Sequence, residues 1–259
     1  DIDFVLDTEG SQIRNGFVKD NSVFFKEGAQ IKLFSKTIIG DELGFSLTPD
    51  VVIQQLKIGD LLYVDFDSLI IRIIENKNFN EYIIGDVISG GNLGSNKGVS
   101  VDPYMSSSID LPVLSNKDHK SIKIGLDNNV EYIAASFIRN KKSVEYVKDV
   151  TDGKMKIISK IECIDALNNL DEIIQSSDYL LIDRGDLSKE IPIQKIPFVQ
   201  KIILNRSRVF GKKVFVATNL LETMIKHRKP TRAEVHDVLN TIIGGAEGLV
   251  LAAETAIGK

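Results

Sequence analysis

The chain has 259 residues, of which 43% are hydrophobic and 26% charged, and its net charge is −4. This composition is typical of a globular domain and gives no overall positive charge, so no nucleic-acid partner is expected. The apolar runs are too short to cross a bilayer, which excludes a spanning segment, and the single cysteine excludes an intrachain disulfide and Cys₂His₂ or Cys₄ zinc sites.

The N-terminal part of the chain predicts one strand followed by a small β domain. Residues 1–6 ("DIDFVL") form a short apolar run that is typical of a buried strand. Between about residues 11 and 109 no convincing amphipathic helix occurs, and turn signals such as "KIGD" and "SGGNLG" separate alternating apolar runs. The predicted strands of this domain are 22–26, 30–35, 61–66, 69–74 and 82–88.

From about residue 110 onward, apolar runs alternate with helix-like stretches, which indicates parallel βα units. The pattern fits part of an eight-stranded βα barrel or a doubly wound sheet, and periodicity alone does not decide between them. Thr231 is predicted to cap the last helix, with Glu234 completing a capping box. The predicted strands are 130–137, 155–161, 178–184, 213–219 and 247–253, and the predicted helices are 116–125, 140–150, 164–176, 194–210 and 232–244.

Polar side chains follow the apolar part of these strands, at the end where α/β barrels carry their active sites. Lys160 and Glu162 lie two residues apart in one strand and therefore point to the same side. Together with Asp186 after the next strand, they suggest a divalent metal held by two carboxylates beside a lysine. Such a site suits Mg²⁺ and a phosphate or phosphoryl group. On spacing alone, a structural ion pair between Lys160 and Glu162 remains the alternative. Cys163 is interpreted as a packing residue.

Several motifs of this sequence resemble those of the pyruvate kinase family. "DTEGSQIRNG", "KIEC", "LIDRGDLSKEIP" and "VATNLLETMIKHRKPTRAEVHDVLN" occur in that order. They are similar to the family's D-T-K-G-P-E-I-R-T-G, K-I-E-N and A-R-G-D-L-G-x-E-I-P segments, and to its A-T-Q-M-L-E-S-M-I segment with the following P-T-R-A-E. The resemblance extends over almost the whole chain.

The resemblance implies a (β/α)₈ TIM barrel with a small all-β cap domain inserted after the third strand. Residues 1–10 and 110–259 would then form strands 3 to 8 of the barrel, and residues 11–109 the cap. The chain also lacks an initiator methionine. We therefore expect a fragment that lacks the first two strands of the barrel and the C-terminal domain. This fragment alone would be inactive.

The same resemblance implies an activity, its cofactors and its partners. The expected reaction is the glycolytic transfer of a phosphoryl group from phosphoenolpyruvate to ADP, giving pyruvate and ATP. Mg²⁺ or Mn²⁺ and K⁺ are the expected cofactors, and the full-length parent is expected to be a homotetramer. The expected location is the cytoplasm, with an organelle as the alternative.

Site residues carry over to the positions that match the family's motifs. Lys160 would stabilise the transferring phosphoryl group, Glu162 and Asp186 would bind the divalent metal, and Thr218 would lie near the face of the enolate that is protonated. The backbone of Asp183, Arg184 and Gly185 would hold the substrate carboxylate. The remaining expected contacts are Arg14 with the phosphoryl group and nucleotide, Lys97 with the nucleotide, Asp7 and Thr8 with K⁺, and Asp67 closing over the site.

Some positions depart from the family pattern. Gln12 stands where the family has the glutamate associated with potassium dependence, and Glu9 stands where it has a lysine. Asp183 replaces an alanine and adds a negative charge beside the metal and the substrate carboxylate. These departures leave two alternatives: a catalytically impaired pyruvate-kinase-like pseudoenzyme or regulatory homologue, and a metal-dependent pyruvate or enolate lyase on the same barrel.

Overall fold

The computed structural model describes residues 2–65, 68–102 and 109–258, so Asp67 lies outside the described residues. The chain divides into two compact units, one formed by Asp1–Gly10 with Val113–Lys259 and the other by Ser11–Pro112. Among the helices of the described ranges, none combines the length and the apolar character needed to cross a membrane.

Strands and helices are numbered in chain order. The strands of the described residues are β1 (Val5–Asp7), β2 (Ile13–Asn15), β3 (Ser22–Phe25), β4 (Gln30–Phe34), β5 (Gly44–Thr48), β6 (Leu61–Val64), β7 (Leu69–Glu75), β8 (Tyr82–Ser89), β9 (Gly91–Gly94), β10 (Gly98–Val101), β11 (Tyr132–Ala135), β12 (Lys156–Ile161), β13 (Tyr179–Asp183), β14 (Lys213–Ala217) and β15 (Gly248–Val250). The α-helices are α1 (Val51–Gln55), α2 (Asn116–Asp127), α3 (Lys141–Val150), α4 (Ile164–Asn168), α5 (Leu170–Ser176), α6 (Arg184–Leu187), α7 (Ile196–Val209), α8 (Arg232–Ile243) and α9 (Ala253–Ala256).

The first unit contains a parallel six-stranded sheet in the order β1-β11-β12-β13-β14-β15. Each strand pairs with the next strand that this unit contributes along the chain, so the order never reverses. A doubly wound sheet reverses its strand order at a switch point. The observed order therefore excludes the doubly wound alternative and is that of a half-barrel sheet within a mixed α/β unit.

The two faces of this sheet have different packing partners. Ile157 and Ile161 of β12 belong to the large apolar core that the sheet shares with its helices. Ile158 lies on the opposite face in a small cluster with Ala134, Leu181 and Ala217. Because side chains alternate along a strand, Lys160 and Glu162 follow Ile158 on this second face. Asp183 follows Leu181 on the same face.

One predicted helix is broken in the structure. The stretch 164–176 forms two helices, α4 and α5, which meet at Asn169. This residue has φ −112° and ψ 22°, and its side-chain amide donates to the carbonyl oxygens of Arg139 (3.0 Å) and Asp165 (3.1 Å). Asparagine side chains compete with the helical backbone for hydrogen bonds, which accounts for the break.

The capping box predicted at the start of α8 is confirmed. Thr231 Oγ1 accepts from the backbone N–H of Glu234 at 3.2 Å, and the Glu234 carboxylate accepts from the N–H of Thr231 at 2.7 Å. The same carboxylate accepts from the hydroxyl and the N–H of Thr223. These hydrogen bonds, led by the one from the Thr223 hydroxyl, lower the pKa of Glu234 from 4.5 to about 2.

Replacing Glu234 by glutamine is expected to make the free energy of unfolding less dependent on pH in the acidic range. A carboxyl whose pKa is lowered on folding stabilises the fold above its unfolded-state pKa and loses that contribution as the pH falls from about 4.5 to about 2. Urea unfolding at several pH values should therefore show a shallower decline for Glu234→Gln than for the wild type in this window. Glu145→Gln, on an exposed face of α3, is the control. Equal declines for Glu234→Gln and the wild type would contradict the prediction.

The second unit contains a closed barrel of seven strands in the order β10-β2-β5-β4-β8-β7-β6. Only β4 and β5 pair in parallel, whereas the other neighbours are antiparallel. Its core is apolar and includes Phe25, Phe45, Leu33 and Ile71, each at most 1% exposed. All five strands predicted here are found with end residues shifted by one or two positions.

The "SGGNLG" segment does not form the predicted turn. Gly91–Gly94 is strand β9, which pairs with β3 as a separate two-stranded sheet. A Cβ on Gly91 would lie 2.0 Å from the carbonyl oxygen of Ser68, so this strand passes too close to another backbone for a side chain. The glycine therefore serves close strand packing, which its sequence context alone does not distinguish from a turn.

Candidate active site

Lys160 and Glu162 meet at the carboxyl end of β12. Lys160 Nζ lies 3.0 Å from Glu162 Oε1, and the Glu162 side chain is fully buried. Glu162 Oε2 accepts from the backbone N–H of Phe137 at 2.6 Å, whereas Oε1 receives no hydrogen bond from the described residues. Burial raises the pKa of Glu162 to about 7 despite the neighbouring ammonium group. A buried carboxylate oxygen whose nearest partner is a shared ammonium group is a candidate metal ligand.

The Lys160 ammonium is surrounded by oxygen atoms. Besides Glu162, it lies 3.0 Å from Ser136 Oγ, 3.4 Å from Asp7 Oδ1 and 4.0 Å from Asp183 Oδ2. Burial lowers the pKa of Lys160, but the carboxylates of Glu162 and Asp7 outweigh this effect and hold it above its usual value of 10.5. This side chain is therefore a fixed positive charge at neutral pH.

Three carboxylates lie within reach of one metal ion. Glu162, Asp183 and Asp186 each offer an oxygen, and these oxygens lie within 4.8 Å of one another. The sequence predicted Glu162 and Asp186 as the metal pair, and the structure brings them together. For Asp183 the sequence predicted a substrate contact through the backbone and an added negative charge beside the metal, but it did not predict the carboxylate as a metal ligand. The fact that residue 183 is an aspartate where the family has alanine was the available signal.

The Asp183 carboxylate faces the backbone that follows it. Its Oδ1 accepts from the N–H groups of Gly185 (3.2 Å) and Asp186 (3.3 Å). Thr218 Oγ1 lies 3.1 Å from the same oxygen and also accepts from the N–H of Gly185 at 2.8 Å. Thr218 has φ +67°, a conformation that is uncommon for a β-branched residue. The structure thus places Thr218 and Gly185 beside the three carboxylates.

Arg184 has a different environment from its neighbours. Its guanidinium forms an ion pair with Asp237 of α8, with an N–O distance of 2.8 Å, and donates to the carbonyl oxygens of Thr218 and Asn219. The side chain therefore ties the ends of β13 and β14 to α8. Asp237 was missed by the sequence interpretation, which assigned no role to the guanidinium of Arg184.

A second lysine lies at the carboxylate group. Lys189 forms an ion pair with Asp186, three residues earlier in the chain. The Asp186 side chain is 21% exposed, so it is the more accessible metal ligand of the predicted pair. Lys189 was not predicted, although the spacing of three residues was the signal for this contact.

Asp7 and Thr8, predicted for K⁺, lie at the end of β1. The Asp7 side chain is 66% exposed and lies near Lys160. Thr8 is buried, and it holds β1 to the neighbouring strand: its Oγ1 accepts from the N–H of Ser136 (2.9 Å) and its carbonyl oxygen accepts from Ser136 Oγ (2.7 Å). The sequence interpretation assigned Ser136 no role in the site.

Arg14 and Lys97 belong to the second unit. Arg14 lies in β2, and Lys97 directly precedes β10, which pairs with β2. Arg14 Nη1 donates to the carbonyl oxygen of Asn96 at 3.0 Å, and Lys97 Nζ lies 3.2 Å from Asp65 Oδ2. The side chain of Lys97 is 43% exposed.

Cys163, interpreted as a packing residue, is buried in the large core of the first unit, and burial raises the pKa of its thiol to about 12.

Comparison with known proteins identifies the family. The sequence profile described as the barrel domain of pyruvate kinase matches residues 1–259. The chain belongs to the pyruvate kinase family. A pyruvate kinase of Thermotoga maritima is 37% identical over 98% of this chain and 54% of the relative. Plastidial pyruvate kinase 3 of Arabidopsis thaliana is 35% identical over 100% of this chain and 45% of the relative.

A solved structure gives the same result for the fold. The crystal structure of a pyruvate kinase from Cryptosporidium parvum superposes with a TM-score of 0.86 at 30% identity, covering 99% of this chain and 54% of that chain. This chain therefore spans about half the length of the pyruvate kinases that it matches.

Proposed function

We propose that the full protein is a pyruvate kinase that transfers a phosphoryl group from phosphoenolpyruvate to ADP and yields pyruvate and ATP. The observation that supports this most directly is the grouping of Lys160, Glu162, Asp186 and Thr218 at one end of the parallel sheet. Membership of the pyruvate kinase family supports the same reaction. The proposed pathway is glycolysis.

The acidic group fits a divalent cation, for which we propose Mg²⁺ or Mn²⁺. Three carboxylates whose oxygens lie within 4.8 Å of one another, including the buried Glu162, are suitable oxygen ligands for a hard cation. Glu162 and Asp186 would hold the metal. When bound, it would neutralise negative charge on the phosphoryl oxygens.

The protein's own residues have distinct proposed roles in the reaction. Lys160, charged at neutral pH and packed among oxygen atoms, would stabilise the phosphoryl group in transfer. Thr218 would position the proton that the enolate takes up, because its hydroxyl faces the same region as Asp183 and the N–H of Gly185. Arg184 would position this backbone through its bonds to the Thr218 and Asn219 carbonyls.

For the second unit, the proposed roles rest on the family resemblance. The seven-stranded barrel would be the inserted cap domain, and the parallel sheet would be strands 3 to 8 of the complete (β/α)₈ barrel. Arg14 would contact the phosphoryl group and nucleotide, and Lys97 the nucleotide. The full protein is proposed to be a homotetramer.

K⁺ is the proposed monovalent cofactor, and Asp7 is its stronger candidate ligand. The Asp7 carboxylate is largely exposed, whereas both oxygens of Thr8 already accept hydrogen bonds from Ser136. Comparison of turnover in K⁺ and in tetramethylammonium at equal ionic strength tests this cofactor.

The proposed location is the cytoplasm; an organelle is the alternative, because relatives from Arabidopsis thaliana and Nicotiana tabacum are named as chloroplastic.

The proposed function is tested by ATP formation from phosphoenolpyruvate and ADP. The full-length protein should produce ATP only when phosphoenolpyruvate, ADP and Mg²⁺ or Mn²⁺ are all present, with pyruvate formed in equal amount. Metal-bound, folded protein without turnover under these conditions would overturn the proposal and indicate a pseudoenzyme. Release of pyruvate without ADP would indicate a lyase.

A further inference from the structure

The Asp183 side chain occupies a group of hydrogen-bond donors at the active-site end of the sheet. Its Oδ1 accepts from the N–H of Gly185 and the N–H of Asp186, and Thr218 Oγ1 lies 3.1 Å away. We call these three groups the donor triad. Backbone N–H groups and a hydroxyl around one carboxylate oxygen can recognise a carboxylate. Here Asp183 is the N-cap of α6, and two of these groups also have a second acceptor: the Gly185 N–H lies 2.8 Å from Thr218 Oγ1, and Thr218 Oγ1 lies 2.7 Å from the carbonyl oxygen of Ala217. In this chain the carboxylate that they hold is the protein's own.

The other oxygen of the same carboxylate lies toward the charged groups of the site. Asp183 Oδ2 is 4.0 Å from Lys160 Nζ, and the residue is only 8% exposed. An oxygen of Asp183 also lies within 4.8 Å of oxygens of Glu162 and Asp186. Asp183 therefore bridges the donor triad and the metal-ligating carboxylates.

Glu162 provides an independent sign that this group holds a cation. Its side chain is fully buried, and Oε1 receives no hydrogen bond from the described residues although Lys160 Nζ lies 3.0 Å away. The Lys160 ammonium is shared with Ser136 Oγ, Asp7 and Asp183, so it does not saturate this oxygen, which remains able to bind a further cation. This oxygen belongs to the same carboxylate group as Asp183 and Asp186.

The charges around the site favour a cation over an anion. Among the described residues, ion pairs join the carboxylates of Asp7, Glu162, Asp183 and Asp186 to two ammonium groups, those of Lys160 and Lys189. When all four carboxylates are ionised, as metal ligands must be, the two remaining negative charges equal the charge of one divalent cation. Without the Asp183 carboxylate, the same site with its metal would carry one net positive charge and would attract an anionic substrate.

We propose that Asp183 is a specificity-determining residue with two effects: it supplies a third carboxylate to the divalent metal, and it competes with the substrate's carboxylate for the donor triad. The proposal rests on the proposed function, in which a ligand that bears a carboxylate binds beside the metal. It follows that the metal binds firmly before the substrate does. A substrate carboxylate then has to displace the Asp183 side chain from the donor triad.

Two substitutions in the full-length protein separate the two effects. Asp183→Ala removes both the metal ligand and the occupant of the donor triad. Asp183→Asn removes the charge but keeps an oxygen that accepts hydrogen bonds from the same N–H groups. Asp149→Ala, which removes an exposed carboxylate from α3, is the matched control.

The measurements are Mn²⁺ titration without substrate, followed by pyruvate titration at saturating Mn²⁺. We expect both Asp183 variants to bind Mn²⁺ about tenfold more weakly than the wild type, because each lacks one carboxylate ligand. We expect Asp183→Ala to bind pyruvate about tenfold more tightly, because the donor triad is vacated and one negative charge is removed. Asp183→Asn should gain less than Asp183→Ala, and Asp149→Ala should match the wild type in both titrations.

Opposite changes in the two affinities distinguish this role from a purely structural one. If Asp183→Ala weakens Mn²⁺ and pyruvate binding together, or leaves both within twofold of the wild type, the proposal is overturned. Failure of the proposed function has a different signature: the wild type would form no ATP from phosphoenolpyruvate and ADP, although the two titrations still change in opposite directions.

Discussion

Replacing Lys160 by methionine in the full-length protein is expected to reduce turnover with phosphoenolpyruvate and ADP by about 10³-fold. Methionine retains much of the apolar stem but removes the only ammonium group within 4.0 Å of both Glu162 and Asp183 among the described residues. Phosphoryl transfer would then lack a fixed positive charge beside the metal. Stability should also fall, by about 3 kcal/mol, because one partner of a buried ion pair is left behind.

The Lys213–Glu247 pair offers a matched control. Lys213 is also a strand lysine paired with a glutamate, at an N–O distance of 2.7 Å, but its side chain is 58% exposed and lies at the amino end of β14. Lys213→Met should keep turnover within about twofold of the wild type, and its free energy of unfolding should change little because the pair is exposed to solvent. Steady-state kinetics and urea unfolding measure both quantities. Wild-type turnover of a folded Lys160→Met protein would rule out the proposed role of Lys160.

Replacing Glu162 by glutamine is expected to weaken Mn²⁺ binding by about 10- to 100-fold and to reduce turnover by about 10²- to 10³-fold. Glutamine has the same shape, and its carbonyl oxygen can keep the hydrogen bond from the N–H of Phe137 that Oε2 now accepts. It removes the negative charge at a fully buried position where the other oxygen lies 3.0 Å from Lys160 Nζ. Because the Lys160 ammonium loses its nearest carboxylate, stability should also fall, and metal affinity is therefore measured under conditions where urea unfolding shows the variant to be folded.

Glu247→Gln is the corresponding control for this substitution, since Glu247 is the exposed partner of Lys213. The Mn²⁺ affinity of Glu247→Gln and its turnover at saturating metal should equal those of the wild type. Turnover of Glu162→Gln should be partly restored at high Mn²⁺ if weak metal binding is the main defect. An unchanged Mn²⁺ affinity in Glu162→Gln would show that this carboxylate is not a metal ligand.

The positions of the main parallel strands were predictable because their signals are local. Ile157 and Ile161 alternate with Ile158 in a run that is apolar on both faces, and polar residues follow at its end. Strand periodicity also placed Lys160 and Glu162 on one side, where the structure finds their charged atoms 3.0 Å apart. The choice between a barrel-type and a doubly wound sheet was not local, because strand order depends on which strands pair.

Other features of the site depend on tertiary structure. The sequence shows that residue 183 is an aspartate, but not that its carboxylate turns back to the N–H groups of Gly185 and Asp186. The ion pair between Arg184 and Asp237 joins residues 53 positions apart. Likewise, the strand at Gly91–Gly94 is defined by its pairing with β3, and Gly91 passes close to the backbone of Ser68. No local pattern encodes such contacts.

The contacts of Arg184 have a consequence for motion at the site. Its guanidinium donates hydrogen bonds to the carbonyl oxygens of Thr218 and Asn219 and forms an ion pair with Asp237 of α8. The ends of β13 and β14 are therefore a poor hinge, and amide hydrogen exchange at Gly185 should be slow. Any closing movement around a substrate has to come from other segments of the protein.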